Sequence, residues 1–397
     1  MSAKKALSSR LFGGRGRRAG LDLKYLRSFC ETLWGEDLHA KRVESVANGA
    51  AGALHAASLG VHAIGAAYAA LSANQTKHGI KQVDRLLSNE GFAVWELGRG
   101  WVQFVLSGRP EVVLAMDWTE FDADDHSTIC IYLVTRHGRA TPPAWWTVEK
   151  SSLKNNRNGD EQVVVSHLAS LIPEGVRVTL LADRGFGDQA FYTFLADLHW
   201  DYVIRFRECI QVEDETGEVR PAGEWVGNGR ARMIRSARVT GERTAIPAVV
   251  TAHARGMKEA WCLATSRVDL KAKEVVELYG KRFRIEETFR DEKDDHFGMG
   301  LRATHIRSPD RRDRLLFLAA LAHTLLTLLG AASEAAGLDR LMKANTSKKR
   351  THSLFRQGLH WYQALPNTRD EWARQLITAF DEIMRGHSML RDVFGDI

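Results

Sequence analysis

The chain has 397 residues, 55 Lys and Arg against 49 Asp and Glu for a formal net charge of +6, and four cysteines. That length leaves room for two or three domains with a sizeable core, and the mild basic excess points toward a polyanionic partner. Cys30, Cys130, Cys209 and Cys262 are far apart and form no CxxC pair, which suggests neither a disulfide framework nor a cysteine zinc site and fits a reducing compartment.

In chain order, the first segment carries Lys4, Lys5, Arg10, Arg15, Arg17, Arg18, Lys24 and Arg27 against the single acid Asp22, and reads as a loose basic arm suited to DNA. No run there has the apolar core of a signal peptide. Its GGRGRRAG follows no strand, so the glycines keep the arm flexible and do not make a dinucleotide-binding turn. From about Leu21 to Gly108 the pattern is helical. Val46 to Asn74 has no Asp, Glu, Lys or Arg, but its Ala, Gly and Ser content with His55 and His62 predicts a packed helix pair. In TKHGIKQVDRLLSNE, Ile80, Val83, Leu86 and Leu87 repeat at helical spacing and leave Lys77, Lys81 and Arg85 on another side. Such a face fits a phosphate backbone or groove, and equally a solvated surface.

After Pro110 three strands are expected, EVVLAMDWTEF, STICIYLVTRHG and ATPPAWWTVEK. DADDH reads as the hairpin connection between the first two, not as a metal cluster. A helix EQVVVSHLASLIP, a strand VRVTLLAD, a helix DQAFYTFLADLHW and a strand DYVIRF follow. A meander followed by alternating helix and strand predicts an α/β fold with a mixed sheet. Between about 207 and 268 the pattern turns short, polar and β-like, a β-rich insertion ending in WCLATS. One helix is then expected from near Leu270 past Lys293. Leu315 to Ala332 is apolar on all sides, which suits either a membrane span or the central helix of a large domain. The remainder, from about Ser333, reads as helices.

An acid at the end of an apolar strand is costly unless it is paired or bound. Asp117 ends VVLAM and Asp183 ends VTLLA. If the first and fourth strands are neighbours, the two carboxylates meet and repel unless a cation neutralises them, and oxygen ligands suit Mg²⁺ or Mn²⁺. Each also fits a simple cap of the following turn. In YGKRFRIEETFRDEK, at about 100° per residue, Tyr279, Arg282, Glu286, Arg290 and Lys293 share one stripe. Leu278, Ile285 and Phe289 form the apolar seam beside it. Glu287 falls about 100° from Glu286, so Glu286 is expected at the core margin among cations. Ordinary surface ion pairs would give the same letters. Two strand acids, one helix acid and flanking cations such as Arg282 and Lys293 fit two-metal phosphodiester chemistry.

Tyr279, Arg282, Glu286 and Lys293, with Asp117 in MDWTEF and Asp183 in LLADRGF, resemble the Tyr-Arg-Glu-Lys signature and first two acids of bacterial DDE transposases of the insertion-sequence-four type. The resemblance covers roughly residues 75 to 300. It implies a ribonuclease-H-like core with a β-rich insertion, two Mg²⁺ or Mn²⁺ ions on Asp117, Asp183 and Glu286, and cut-and-paste transposition with DNA hairpins as one release route. It implies further that Tyr279, Arg282 and Lys293 hold DNA backbone and that Trp261 stacks on a flipped base, although a core-packed Trp fits the same position. It also makes the passage with Lys77, Lys81 and Arg85 the part that binds terminal inverted repeats. A homodimer on paired ends, meeting through C-terminal helices, is the implied assembly, with target DNA the further partner. The implied setting is the bacterial cytoplasm, at the nucleoid, with no membrane: a span at 315–332 would put Glu286 a few turns from lipid. The expected division is a helical DNA-binding region 1–108, a catalytic domain 109–332 and a helical region 333–397. A transposase-derived DNA binder and a nuclease without strand transfer are the competing readings; three carboxylates facing phosphates argue against the binder.

Overall fold

A computed structural model describes residues 21–397 except 136, 138, 228, 255, 294–297, 302–303, 387–389, 391–392 and 394–397, and the side chains of 140 and 292. Lys4, Lys5, Arg10, Arg15, Arg17 and Arg18 of the expected basic arm lie outside the described residues. The described residues form two compact units, one within 21–100 and 290–393 and the other within 101–289. These cuts run across the linear division at 108 and 332, because the long apolar helix packs with helices from near the start of the chain.

The first unit is helical: α1 (Leu23–Trp34), α2 (Ala40–Ala56), α3 (Val61–Leu71), α4 (Thr76–Leu87), and, from the later part of the chain, α10 (Pro309–Ala335), α11 (Leu354–Ala364) and α12 (Asp370–Arg385). α10 is long and apolar enough to cross a membrane, yet 94% of its apolar window is buried, with α2, α11 and α12 packed against it. Close approach of α10 and α11 depends on two glycines. A Cβ on Gly330 would lie 1.9 Å from the Leu354 carbonyl oxygen, and one on Gly358 1.8 Å from that of Leu326, so any side chain there drives the helices apart. α2 and α3 are the expected helix pair, bent by 101° at their junction.

The second unit is built on a ten-stranded sheet in the order β3-β2-β1-β4-β5-β10-β9-β8-β6-β7. β1 (Glu111–Phe121), β2 (His126–Val134) and β3 (Ala140–Glu149) form the antiparallel meander, and the DADDH segment is a single tight turn closing its first hairpin. Helix α6 (Arg157–Leu171) leads to β4 (Arg177–Ala182), which pairs parallel to β1, and α7 (Gln189–Asp197) leads to β5 (Asp201–Phe206), parallel to β4. This is the mixed α/β sheet that the sequence predicts, with helices between its parallel strands. The β-rich segment supplies β6 (Gln211–Glu213), β7 (Val219–Pro221), β8 (Arg232–Val239), β9 (Thr244–Ala252) and β10 (Trp261–Thr265). Because β10 pairs antiparallel with β5, these strands extend the same sheet.

The helix expected from 270 past 293 is not continuous. α8 (Ala272–Gly280) gives way to a 3-10 turn at Lys281–Phe283, and α9 (Arg284–Lys293) follows. Gly280, a poor helix former, ends the first part. A 3-10 turn advances about 120° per residue, so the single helical phase does not carry across it. α5 (Gly98–Leu106) and α9 each contain a boundary between the two units.

Candidate active site

The register of β1 with β4 aligns Met116 with Ala182. Asp117, in β1 just past the last residue paired with β4, therefore stands next to Asp183, which directly follows β4; β1 itself continues to Phe121, so the expectation that Asp117 ends its strand is corrected. Asp183 Oδ1 accepts from Gly185 N at 2.7 Å and so caps the turn Arg184–Phe186, leaving Oδ2 outside that cap. Asp117 Oδ1 accepts from Trp118 N at 2.9 Å, and its Oδ2 accepts from Arg282 Nη1 at 3.1 Å. Burial pushes the Asp117 carboxyl up to about 6; Arg282 opposes that rise, and the charges of Asp183 and Glu286 add to it.

Arg282 is the centre of the arrangement. Its side chain is 7% exposed, and it donates from Nη1 to Asp117 and from Nη2 to Glu286 Oε1 at 3.1 Å each. Its guanidinium lies 4.9 Å from the centroid of the Phe283 ring and 6.0 Å from that of Tyr279. The 3-10 turn carries Arg282 into the interior, and one helical turn later Glu286 meets it. Glu287 lies instead 3.7 Å from Arg139. Burial corrects one expectation: the Glu286 side chain is 52% exposed against 38% for Glu287. What separates the two acids is direction, toward Arg282 and Asp117 or toward Arg139.

Tyr279 is buried, and Trp261, half-buried at the start of β10, meets it edge-on at 4.9 Å and stacks on Phe283 at 5.9 Å and 29°. Trp261 thus has aromatic packing partners, as the core reading of that residue anticipates. Lys293 is the last residue of α9 and belongs to the helical unit. Lys77, Lys81 and Arg85 are exposed on α4 in that same unit while Val83, Leu86 and Leu87 are buried. Lys81 and Arg85 line a cleft of about 450 Å³ together with Arg42 and His78.

Some residues of the site's surroundings went unread in the sequence. Arg184, which follows Asp183, and Arg205 on β5 share the Glu259 carboxylate at 3.4 and 2.6 Å. Glu161 on α6 accepts from Trp118 Nε1 at 2.8 Å. A signal for it existed: Glu161 occupies the helical stripe of Val164, Val165 and Leu168, a core position holding a carboxylate.

A model of the transposase DDE domain matches residues 108–325, more than half of the chain. The chain belongs to the transposase DDE domain family. No curated protein matches it. The matched span contains Asp117, Asp183 and Glu286, and membership in this transposase family implies DNA as substrate and an enzyme of the transposase or nuclease kind. DDE transposases generally use divalent metal ions. Among the described residues no three Asp, Glu, His or Cys side chains are grouped closely enough to hold one, with Arg282 lying between Asp117 and Glu286. The donor chemistry nevertheless fits: hard oxygen ligands, one of them desolvated, repel one another around a single guanidinium and favour added positive charge.

Proposed function

We propose that this protein is a cut-and-paste DNA transposase of the insertion-sequence-four type, with Asp117, Asp183 and Glu286 as its catalytic acids. The observation that carries the reading is the meeting of Asp117 from β1 and Glu286 from α9 at Arg282, with Asp183 beside Asp117, inside a domain of the transposase DDE family. The three carboxylates would hold two Mg²⁺ or Mn²⁺ ions, which when bound activate the attacking oxygen and stabilise the leaving oxygen.

Arg282 neutralises Asp117 and Glu286 in the free protein, and with those acids holding cations its guanidinium would be available to a DNA phosphate. Tyr279, packed beneath it, fixes the direction from which the guanidinium approaches. Lys293 supplies a second phosphate contact. Trp261 receives a flipped base on the face that Phe283 now covers, and Phe283, 41% exposed, is free enough to yield. Stacking worth about 1–3 kcal/mol helps offset the unpairing. Terminal repeats are bound by α4, and two copies assemble on paired ends through their C-terminal helices.

The test is single-turnover cleavage and strand transfer on DNA carrying the element's inverted repeats, with Mg²⁺, comparing the parent protein with Asp183→Ala. Nicking followed by joining to target DNA in the parent, and end binding without nicking in Asp183→Ala, is the expected result. Nicking without joining would leave a nuclease, and nicking by Asp183→Ala would remove the acids from the mechanism. Replacing Lys77, Lys81 and Arg85 by Ala together should flatten the log-log salt dependence of end binding by about 2 to 3. An unchanged slope would mean that these side chains only face solvent.

A further inference from the structure

Alternation along β1 turns Asp117 and Trp118 to opposite faces of the sheet. Asp117 meets Arg282 on one face, and Trp118 meets α6 on the other. There the indole Nε1 donates to Glu161 Oε1 at 2.8 Å, and Arg157, one turn earlier on α6, reaches the same oxygen at 3.3 Å. The Arg157 guanidinium lies 5.3 Å from the centroid of the Trp118 ring. The Trp118 indole is thus bonded at its nitrogen and covered on one face, and the same residue's backbone N–H donates to Asp117 Oδ1 at 2.9 Å.

Glu161 is only 3% exposed and shares its stripe with Val164, Val165 and Leu168. Burying a carboxylate at such a place costs free energy that an apolar residue of similar size would not. Stability alone does not account for it. Its one geometrical result is a fixed Trp118, in a strand whose preceding residue is Asp117.

We infer that Glu161 is a positioning residue of the active site: by holding the Trp118 indole from the far side of the sheet it fixes the β1 backbone at 117–118, and with it the N–H that orients the Asp117 carboxylate. Glu161 touches neither DNA nor the acids and acts only through Trp118. The inference rests on Asp117 being a metal-holding acid. Partners that orient such ligands typically change metal affinity or activity by about 10- to 100-fold when removed.

Four variants test it: Glu161→Ala, Glu161→Gln, Trp118→Phe and Asp117→Ala. Two readouts are taken, single-turnover cleavage in a pre-assembled end complex and Mn²⁺ binding to the DNA-free protein followed by electron paramagnetic resonance. Glu161→Ala and Trp118→Phe should each slow cleavage and weaken Mn²⁺ binding by about 10- to 100-fold while end binding and circular dichroism stay at parent levels. Glu161→Gln, whose amide oxygen still accepts from the indole, should recover most of both. Trp118→Phe keeps a ring in place and so reads the hydrogen bond even where Glu161→Ala folds poorly. Combining Trp118→Phe with Glu161→Ala should cost no more than the worse single change. Trp118→Phe matching the parent in both readouts, with Asp117→Ala inactive, overturns the inference and leaves the reading of the acids standing. Parent-like cleavage by Asp117→Ala overturns both.

Discussion

The two ends of the parallel strands hold comparable numbers of charges and use them in opposite ways. Where β1, β4 and β5 begin, Arg267, with 7% of its side chain exposed, bonds Glu111, Thr179 and both oxygens of Asp269, while Arg177 bonds Asp201 and Asp269. Two guanidiniums there satisfy three carboxylates, and the Arg267 contact draws the Asp269 carboxyl down to about 2. Where the pairing of β1 with β4 ends, Asp117 and Glu286 share Arg282 with Asp183 beside Asp117, and burial, with those neighbouring charges adding to it, raises Asp117 to about 6. Matched charges hold strands together; an excess of one sign leaves an affinity for something the chain does not itself supply.

The sharpest way to break the comparison is at the unbalanced end. Asp117→Ala and Glu286→Gln should each lower single-turnover cleavage by about 10³-fold or more and leave the melting temperature within a few degrees of the parent. A large fall in melting temperature with cleavage preserved would make that end structural as well. At the balanced end the outcome reverses. Arg267→Met should lose about 1–3 kcal/mol of stability, chiefly because it leaves the buried Thr179 hydroxyl without its donor while Glu111 and Asp269 remain partly solvated, and the folded fraction should cleave at the parent rate. Urea unfolding beside active-site titration separates the two quantities.

Glu161 sharpens the contrast by way of pH. Burial, the largest cause, pushes its carboxyl up to about 7, partly opposed by the Trp118 and Arg157 hydrogen bonds. A raised folded-state value means that the neutral form is favoured on folding. The associated stability is fully present below the unfolded value near 4.5 and is lost as pH rises through about 7. Glu161→Gln should therefore gain about 2–3 kcal/mol relative to the parent on going from pH 4.5 to pH 8. Urea melts of the metal-free proteins across that window would show parallel curves if the carboxyl titrates normally. The smallest effect is expected from Glu287→Gln, which should cleave within about twofold of the parent, since that acid faces Arg139. A dead Glu287→Gln beside an active Glu286→Gln would reassign the third acid.

Much of the sheet was legible because each strand announces itself locally. The runs ending in Asp117 and Asp183 are apolar and bounded by turn residues, and a meander followed by crossover helices allows, without requiring, the strands that carry them to be neighbours. The break at 281–283 was not legible, because a 3-10 turn within a helical pattern differs from its surroundings in hydrogen bonding more than in letters. Its consequence, Arg282 buried between two acids, was hidden with it. The packing of α10 with α2 was equally hidden, since nothing in an apolar run of residues says which distant partner covers it. Glu161 is the instructive miss: its place in an apolar stripe was readable, but its bond to Trp118 required the crossover of α6 to be known.

The sheet ends at β3, which is largely buried, and at β7, and backbone left open at such a margin invites a second chain to add a strand. β3 carries Pro142 and Pro143, and β7 is three residues long and ends at Pro221. Proline offers no amide hydrogen to an incoming strand, and a short margin gives such a strand little length to grip. Extending the sheet across the inserted segment therefore did not leave a sticky border: its outermost strand is too short, and too soon ended by proline, to template edge-to-edge stacking.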